Sequence, residues 1–323
     1  MIVLTFSLLL LVVVFVAVGV GGWPHVQRRL IVSAGSPIAL REFAAASLSQ
    51  QGVLKLLLYH VLLPWVDVRL PRPLTAWLCR QVGRQQAIDF SELDRPLVQF
   101  PTLNAFFTRP LRADCRPICP DPGVIVAPAD AVVTEIGTAD AGRIIQAKGS
   151  SYALSDLIPT AEAADFAGGR YLVLYLRPGD CHRIFCPDAA TVTAAVRIPG
   201  NEMPISPSIT ALVPQVFVQN RRMAHLLATP HGPIALVMVG AYKVGHMVAQ
   251  YDPAFGAGRA PTLERRDYAP APALDRGQWL ATFHLGSAIV LLFPAGAIGE
   301  FRVRPGDRIK YGQPLAAWET KRP

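Results

Sequence analysis

The chain has 323 residues, 51% of them hydrophobic, and a formal charge of +8, with a mean hydropathy of +0.32 and a pI near 9.5. That length allows one large domain or two ordinary ones, and the apolar fraction exceeds what a soluble domain of this size needs, so membrane contact is the natural explanation. The basic residues are dispersed and no DNA- or RNA-binding motif occurs, which argues against a nucleic-acid partner. The five cysteines, at 79, 115, 119, 181 and 186, lack the tight pairs and the His cluster of a zinc site. No metal is therefore expected, and the odd count reads as free thiols in a reducing compartment.

In chain order, the first element is the uncharged run from Ile2 to Val20, apolar apart from Thr5, Ser7 and Gly19 and long enough to cross a bilayer as a helix. No Lys or Arg precedes it, whereas Arg28 and Arg29 follow, so the positive-inside rule places the N-terminus outside and the rest of the chain in the cytoplasm. Residues 1–23 are accordingly expected to be a transmembrane anchor in the cell membrane. A cleaved signal peptide is the competing reading; the missing basic n-region and the long apolar core count against it. Excess positive charge suits a protein lying against anionic lipid.

Residues 24–100 read as a membrane-proximal segment, mostly helical from residue 37, with breaks at prolines. Its stretch Gly52 to Val66 has only Lys55, Tyr59 and His60 as polar residues; packing against the next domain and insertion into the membrane interface both account for it. From residue 101 the texture changes to short runs such as Val124-Ile125-Val126, Ala131-Val132-Val133-Thr134, Tyr171 to Tyr175 and Ile234 to Val239, separated by Pro, Gly and Asp turns. This predicts an α+β chain whose domain 101–323 is β-rich, a partly closed barrel or sandwich. Residues 252–276 read as a surface loop, and Val303 to Leu315 resembles the closing hairpin of lipoyl-type barrel sandwiches without a central exposed lysine.

Six segments carry chemistry-bearing residues. They are Phe106-Phe107-Thr108-Arg109-Pro110-Leu111-Arg112 with Arg116-Pro117-Ile118; Ala127-Pro128-Ala129-Asp130; Gln146-Ala147-Lys148-Gly149; Tyr175 to Arg183; Val239 to Gly245; and Leu285-Gly286-Ser287. In this order and spacing the set resembles the phosphatidylserine decarboxylases, self-processing, pyruvoyl-dependent membrane enzymes, over roughly residues 100 to 316. The resemblance implies that Ser287 attacks the Gly286 carbonyl and that elimination then cleaves the chain between 286 and 287. The new N-terminus becomes a pyruvoyl group, the covalent cofactor. Its ketone would take the amine of phosphatidylserine as a Schiff base, accept the electron pair released with carbon dioxide, and yield phosphatidylethanolamine.

A serine needs a base, and a base an orienting carboxylate. Asp130 matches the family's carboxylate and His182 its first histidine. The family writes Asp-Tyr-His-Arg-x-His where this chain has Asp180-Cys181-His182-Arg183-Ile184-Phe185, so the second histidine, which the family assigns to the relay, is Phe185, and phenylalanine moves no proton. Ala288 stands where threonine is usual, and His246 where serine is usual; His284 is a further unusual histidine. Three outcomes stay open: His182 serves both steps, His246 or His284 replaces the lost base, or the chain stays uncut as a non-catalytic lipid-binding homologue. Arg109, Arg183 and Lys148 are candidates for the substrate's phosphate or carboxylate. A serine hydrolase is disfavoured because Ser287 lacks a Gly-x-Ser-x-Gly elbow. The sequence leaves the oligomeric state open, a homodimer included.

Overall fold

Short apolar runs bounded by Pro, Gly and Asp become strands, and they are held mainly by antiparallel pairing. The computed structural model describes residues 66–145, 151–210, 213–241, 247–256, 261–283 and 287–319. The predicted anchor 1–23 lies outside the described residues, and among those described no helix is long and apolar enough to cross a membrane. Asp67–Pro323 form one compact unit.

Two helices precede the sheets. Helix α1 (Arg72–Gln85) has Pro73 in its first turn and buries Thr75, Ala76, Cys79, Val82 and Gly83, the 3–4 spacing of a single inward stripe. Helix α2 (Leu103–Phe107) starts where the Thr102 hydroxyl accepts a hydrogen bond from the Ala105 N–H at 3.1 Å, satisfying one of the otherwise unpaired first-turn donors. It buries Phe106 and Phe107, and Phe106 meets Phe100 edge-on at 5.4 Å.

The strands are β1 (Val124–Val126), β2 (Ala131–Thr138), β3 (Arg143–Ile145), β4 (Ser151–Ala153), β5 (Arg170–Leu176), β6 (Arg183–Phe185), β7 (Ala190–Ile198), β8 (Arg222–Thr229), β9 (Gly232–Gly240), β10 (Met247–Ala249), β11 (Glu264–Asp267), β12 (Ala273–Leu274), β13 (Trp279–Phe283), β14 (Ser287–Phe293), β15 (Ile298–Phe301), β16 (Arg308–Ile309) and β17 (Pro314–Trp318). The main sheet has nine strands in the order β11-β7-β8-β9-β14-β5-β2-β16, with β12 also on β7. Two three-stranded sheets, β1-β17-β15 and β10-β13-β6, and the ribbon β3-β4 complete the set. The α+β class and the β-rich domain therefore hold.

The predicted closure does not. The nine-stranded path is open: its edges are β11, whose Arg265 to Asp267 are exposed, and β16, only two residues long. A charged strand and a very short one are devices that end a sheet rather than join it. The tail is likewise no hairpin, since β16 pairs with β2 while β17 pairs with β1 and β15. The stretch 252–276, read as a loop, contains the edge strands β11 and β12 on β7.

Alternation of apolar and polar residues is missing from the sheet centre. In β14, Ala288 is 1% exposed and Ile289 to Phe293 are fully buried, as are Leu172 to Leu174 in β5 and Ile234 to Val239 in β9. Strands apolar on both faces belong to a sheet covered on both sides. Phe293 meets Phe301 and Trp318 at 6.2 Å, so the small β15–β17 sheet packs at the far end of β14. This places β14 at the centre of the core, with its first residue, Ser287, at one end.

Candidate active site

Pairing converges three chain segments at that end. Ser287 opposes Leu176 of β5 on one side and Gly240 of β9 on the other. Five residues beyond Leu176 comes Cys181, then His182, whose carbonyl accepts a hydrogen bond from the Phe283 N–H at 2.9 Å. Phe283 itself opposes Met247. The backbone on both sides of the predicted scissile bond is thus tied to the segment that carries His182. Gly286, His246, His284 and Lys148, with the side chain of Ser287, lie outside the described residues.

His182 is fully buried, and its Nδ1 lies 2.9 Å from the Asp180 carbonyl oxygen. A carbonyl only accepts, so Nδ1 carries a proton, and in the neutral form of the ring the basic lone pair is on Nε2. Phe107 from α2 meets the imidazole edge-on at 6.4 Å. The turn before it is closed by Asp180, which accepts from the Arg177 N–H at 2.8 Å and from the Arg177 guanidinium at 2.6 and 3.1 Å. Cys181 is buried there, and burial pushes its thiol up to about 11. It is therefore a neutral thiol at pH 7, without thiolate reactivity.

Arg109 lies behind the same turn. It is 4% exposed, and its Nη2 donates to the Gly179 carbonyl at 2.7 Å while the guanidinium lies 5.5 Å from the Phe106 ring. Its Nε and Nη1 are buried and have no hydrogen-bond partner among the described residues. Burial lowers its pKa, yet an arginine keeps its charge. Unmade bonds at a buried cation are costly, and an anionic ligand satisfies them. Arg183, by contrast, is committed: its Nε donates to the Thr108 carbonyl at 3.0 Å and its guanidinium stacks 3.8 Å from the Trp279 ring.

Asp130 occupies a second corner, in the turn between β1 and β2. It is 7% exposed and is gripped by Arg116, with Nε–Oδ1 at 3.0 Å and Nη2–Oδ2 at 2.6 Å, and by the Tyr311 N–H at 3.0 Å. The other edge of Arg116 bonds both Glu92 oxygens at 2.9 and 2.8 Å, and Lys310 adds a 3.0 Å contact to Glu92. Burial works against the Arg116 charge, but bonds from Asp130 and Glu92 outweigh it and raise its pKa. Hydrogen bonds from Arg116 in turn hold the Glu92 carboxyl down, at about 2. Sequence reading took Arg116 only as part of a motif and missed Glu92, Tyr311 and Lys310. Nothing local in the sequence marks a contact between residues 92 and 310.

Phe185 joins this corner. Its N–H donates to the Pro128 carbonyl at 2.8 Å, and its ring stacks on Tyr311 with centroids 3.9 Å apart and planes 19° apart. Position 185 is therefore linked to the Asp130 turn through Pro128 and through Tyr311, whose N–H bonds the carboxylate, and an aromatic stack occupies it. The structure joins the Asp130 turn to Phe185 through Pro128 and Tyr311, and His182 to the segment before the predicted scissile bond.

The sequence model of the phosphatidylserine decarboxylase family matches residues 103–317. The chain belongs to the phosphatidylserine decarboxylase family. Among its relatives, the phosphatidylserine decarboxylase proenzyme of Anaeromyxobacter sp. (strain K) is 40% identical over 253 residues, 76% of this chain and 89% of that protein. The proenzyme of Bordetella petrii is 37% identical over 239 residues, 72% of this chain and 82% of its own length. That of Azotobacter vinelandii is 36% identical over 255 residues, covering 75% and 88%. The phosphatidylserine decarboxylases are carboxy-lyases, and membership makes this chain a decarboxylase of phospholipid synthesis with a zymogen form.

Proposed function

We propose that the chain cleaves itself between Gly286 and Ser287 and, as the processed enzyme, converts phosphatidylserine to phosphatidylethanolamine. The observation that carries this reading is the convergence of His182 with the strand ends flanking the cleavage site, through the Phe283–His182 bond and the Ser287–Leu176 pairing. Relatives named as proenzymes support cleavage rather than the uncut, lipid-binding alternative.

The residues present fit a pyruvoyl group at position 287. The buried imidazole of His182 ends the turn beside that strand, and the buried Arg109, with two nitrogens unpartnered among the described residues, bonds the same turn at Gly179, as an amino-acid headgroup losing its carboxylate requires. The pyruvoyl group supplies an electrophilic carbonyl that engages the substrate amine and draws off the electron pair left by carbon dioxide. Arg109 receives an anionic group of the lipid headgroup through Nε and Nη1. His182 takes the Ser287 hydroxyl proton during cleavage and, in the mature enzyme, delivers the proton that replaces the departed carboxylate. Asp130 acts with Arg116 to keep the β1–β2 turn in place. Lys148 is a secondary contact for phosphate, whereas Arg183, bonded to Thr108 and stacked on Trp279, holds the turn rather than the lipid. In this reading residues 1–23 anchor the chain in the membrane, 24–100 lie next to it and 101–323 carry the chemistry on the cytoplasmic side.

Intact mass of the purified full-length protein tests the proposal. Two chains are expected, the smaller spanning residues 287–323 and beginning with a pyruvoyl group, and Ser287→Ala should yield one uncut chain without activity. A single unmodified chain in the wild type, or decarboxylation by the alanine variant, overturns it.

A further inference from the structure

The end of β9 that faces Ser287 is held from behind by one side chain. Asn220 is fully buried. Its Nδ2 donates to the Gly240 carbonyl at 2.9 Å and to the Met203 carbonyl at 2.7 Å, and its Oδ1 accepts from the Met203 N–H at 3.0 Å. With both hydrogens on carbonyls and the oxygen on an N–H, the amide has one orientation. Gly240 also donates its N–H to the Arg221 carbonyl at 2.8 Å, so both backbone polar groups of the residue opposite Ser287 are bonded to residues 220 and 221.

The segment that carries Asn220 is itself braced. Arg222, 4% exposed, donates to the carbonyls of Leu157, Val218 and Asn220 at 2.8, 2.8 and 2.9 Å, and to that of Asp156. On the other side Asn201 bridges Asn220 in parallel, its N–H on the Gln219 carbonyl and its carbonyl taking the Arg221 N–H, both at 2.8 Å. Gly200 permits this approach, since a Cβ there would stand 2.6 Å from the Gln219 carbonyl oxygen. The short helix Val216–Gln219 is entered through Gln215 in the left-handed region, at φ 55°. A non-glycine residue stays there only where its surroundings over-determine it.

We propose that Asn220 is a positioning residue for self-cleavage: by fixing Gly240 it sets the strand end against which Ser287 stands; the inference deepens the phosphatidylserine decarboxylase reading and rests on it. Apolar burial already holds the body of β9, from Ile234 to Val239. Gly240 is the last residue of that strand, and strand ends are the parts of a ladder that open most readily. Attack of a hydroxyl on the neighbouring carbonyl requires the reacting atoms about 3–3.5 Å apart, and a misplacement of about 1 Å costs on the order of 100-fold in rate. A buried amide spent on this one carbonyl answers that requirement.

The test follows cleavage of the full-length chain by gel after cell-free translation, with resistance of the uncut chain to brief proteolysis as the measure of its folded fraction. The control is Leu227→Ala, in β8, 1% exposed and opposite Ile234, at the other end of the β8–β9 ladder from Gly240. Per folded chain, Asn220→Ala should cleave about tenfold or more slowly than wild type. Leu227→Ala should lose folded chain but keep the wild-type rate per folded chain. If Asn220→Ala yields no folded chain, Asn220→Asp takes its place with the same fall expected, since it keeps the shape and an oxygen for the Met203 N–H but offers one hydrogen at most. Equal rates per folded chain for the Asn220 and Leu227 variants overturn the positioning role alone. A wild type that folds and never cleaves overturns the decarboxylase reading and this inference with it.

Discussion

Ser287 opens a strand flanked by β5 and β9, with every following side chain to Phe293 buried, whereas Asp130 sits in a turn and is gripped by the Glu92–Arg116 ion network. The first is held by apolar burial and backbone register, the second by charge. In a two-sided core a slip of one residue would break every pairing at once, so the position of Ser287 along the sheet is over-determined. The Asp130 corner depends on one guanidinium satisfying two carboxylates. The two halves of the proposed site therefore differ in what disturbs them: lost volume for the strand, lost charge for the turn.

The largest effect should come from breaking the charged half. Arg116→Met leaves Asp130 and Glu92 close together without their shared cation, and removing one member of a buried pair costs about 3–5 kcal/mol. Denaturant unfolding should register this loss, and the intact mass should show cleavage slowed or stopped. Leu291→Ala, in the fully buried strand, is the matched probe of the apolar half, at about 2–5 kcal/mol. Its cost should stay nearly constant from pH 7 to pH 4, whereas that of Arg116→Met should shrink as Glu92, no longer held down by Arg116, takes up a proton. Equal pH dependence for the two variants would erase the contrast.

A smaller effect sharpens the comparison at the point where the halves meet. Phe185→His places a proton carrier at the position linked to the Asp130 turn, on the Tyr311 ring, where the family's second histidine belongs. If the missing relay limits cleavage, the rate read by gel or mass should rise about tenfold or more. An unchanged rate would mean that His182, or one of the histidines outside the described residues, already does the work.

Much of the apolar half was legible in the sequence, because strand-forming runs are local. Val124 to Val126, Tyr171 to Tyr175 and Ile234 to Val239 all lie in β1, β5 and β9, and Ser287 opens β14. The sheet's closure was misread, because whether edges join depends on strands such as β11 and β16, too short and too charged to signal themselves. The charged half was legible only where a motif named its residues, Asp130 and Arg116. Glu92 with Arg116, and Lys310 with Glu92, pair across 24 and 218 residues, and no local pattern encodes such distances. Arg109 was found by motif, but its two unpartnered N–H groups are a property of packing alone.

The smallest effect separates the halves by pH. His225 of β8 is fully buried, its Nδ1 2.6 Å from the Tyr251 hydroxyl, and burial lowers its pKa from 6.5 to about 3. Glu92 is lowered from 4.5 to about 2 by its bonds to Arg116. Both groups bind protons more readily in the unfolded chain, so both make stability fall on acidification, but in different windows. The His225 contribution is complete above pH 6.5 and drains as the pH falls toward 3, at up to about 1.4 kcal/mol per unit. That of Glu92 is complete above 4.5 and is lost toward 2, with solvent screening reducing its size. His225→Gln should therefore flatten the stability profile between pH 6.5 and 5 in denaturant titrations, and Glu92→Gln should leave that interval unchanged. A Glu92→Gln variant that flattened the same interval would mean that charge at the Asp130 corner and burial in the sheet are coupled, and the two halves would then have to be treated as one unit.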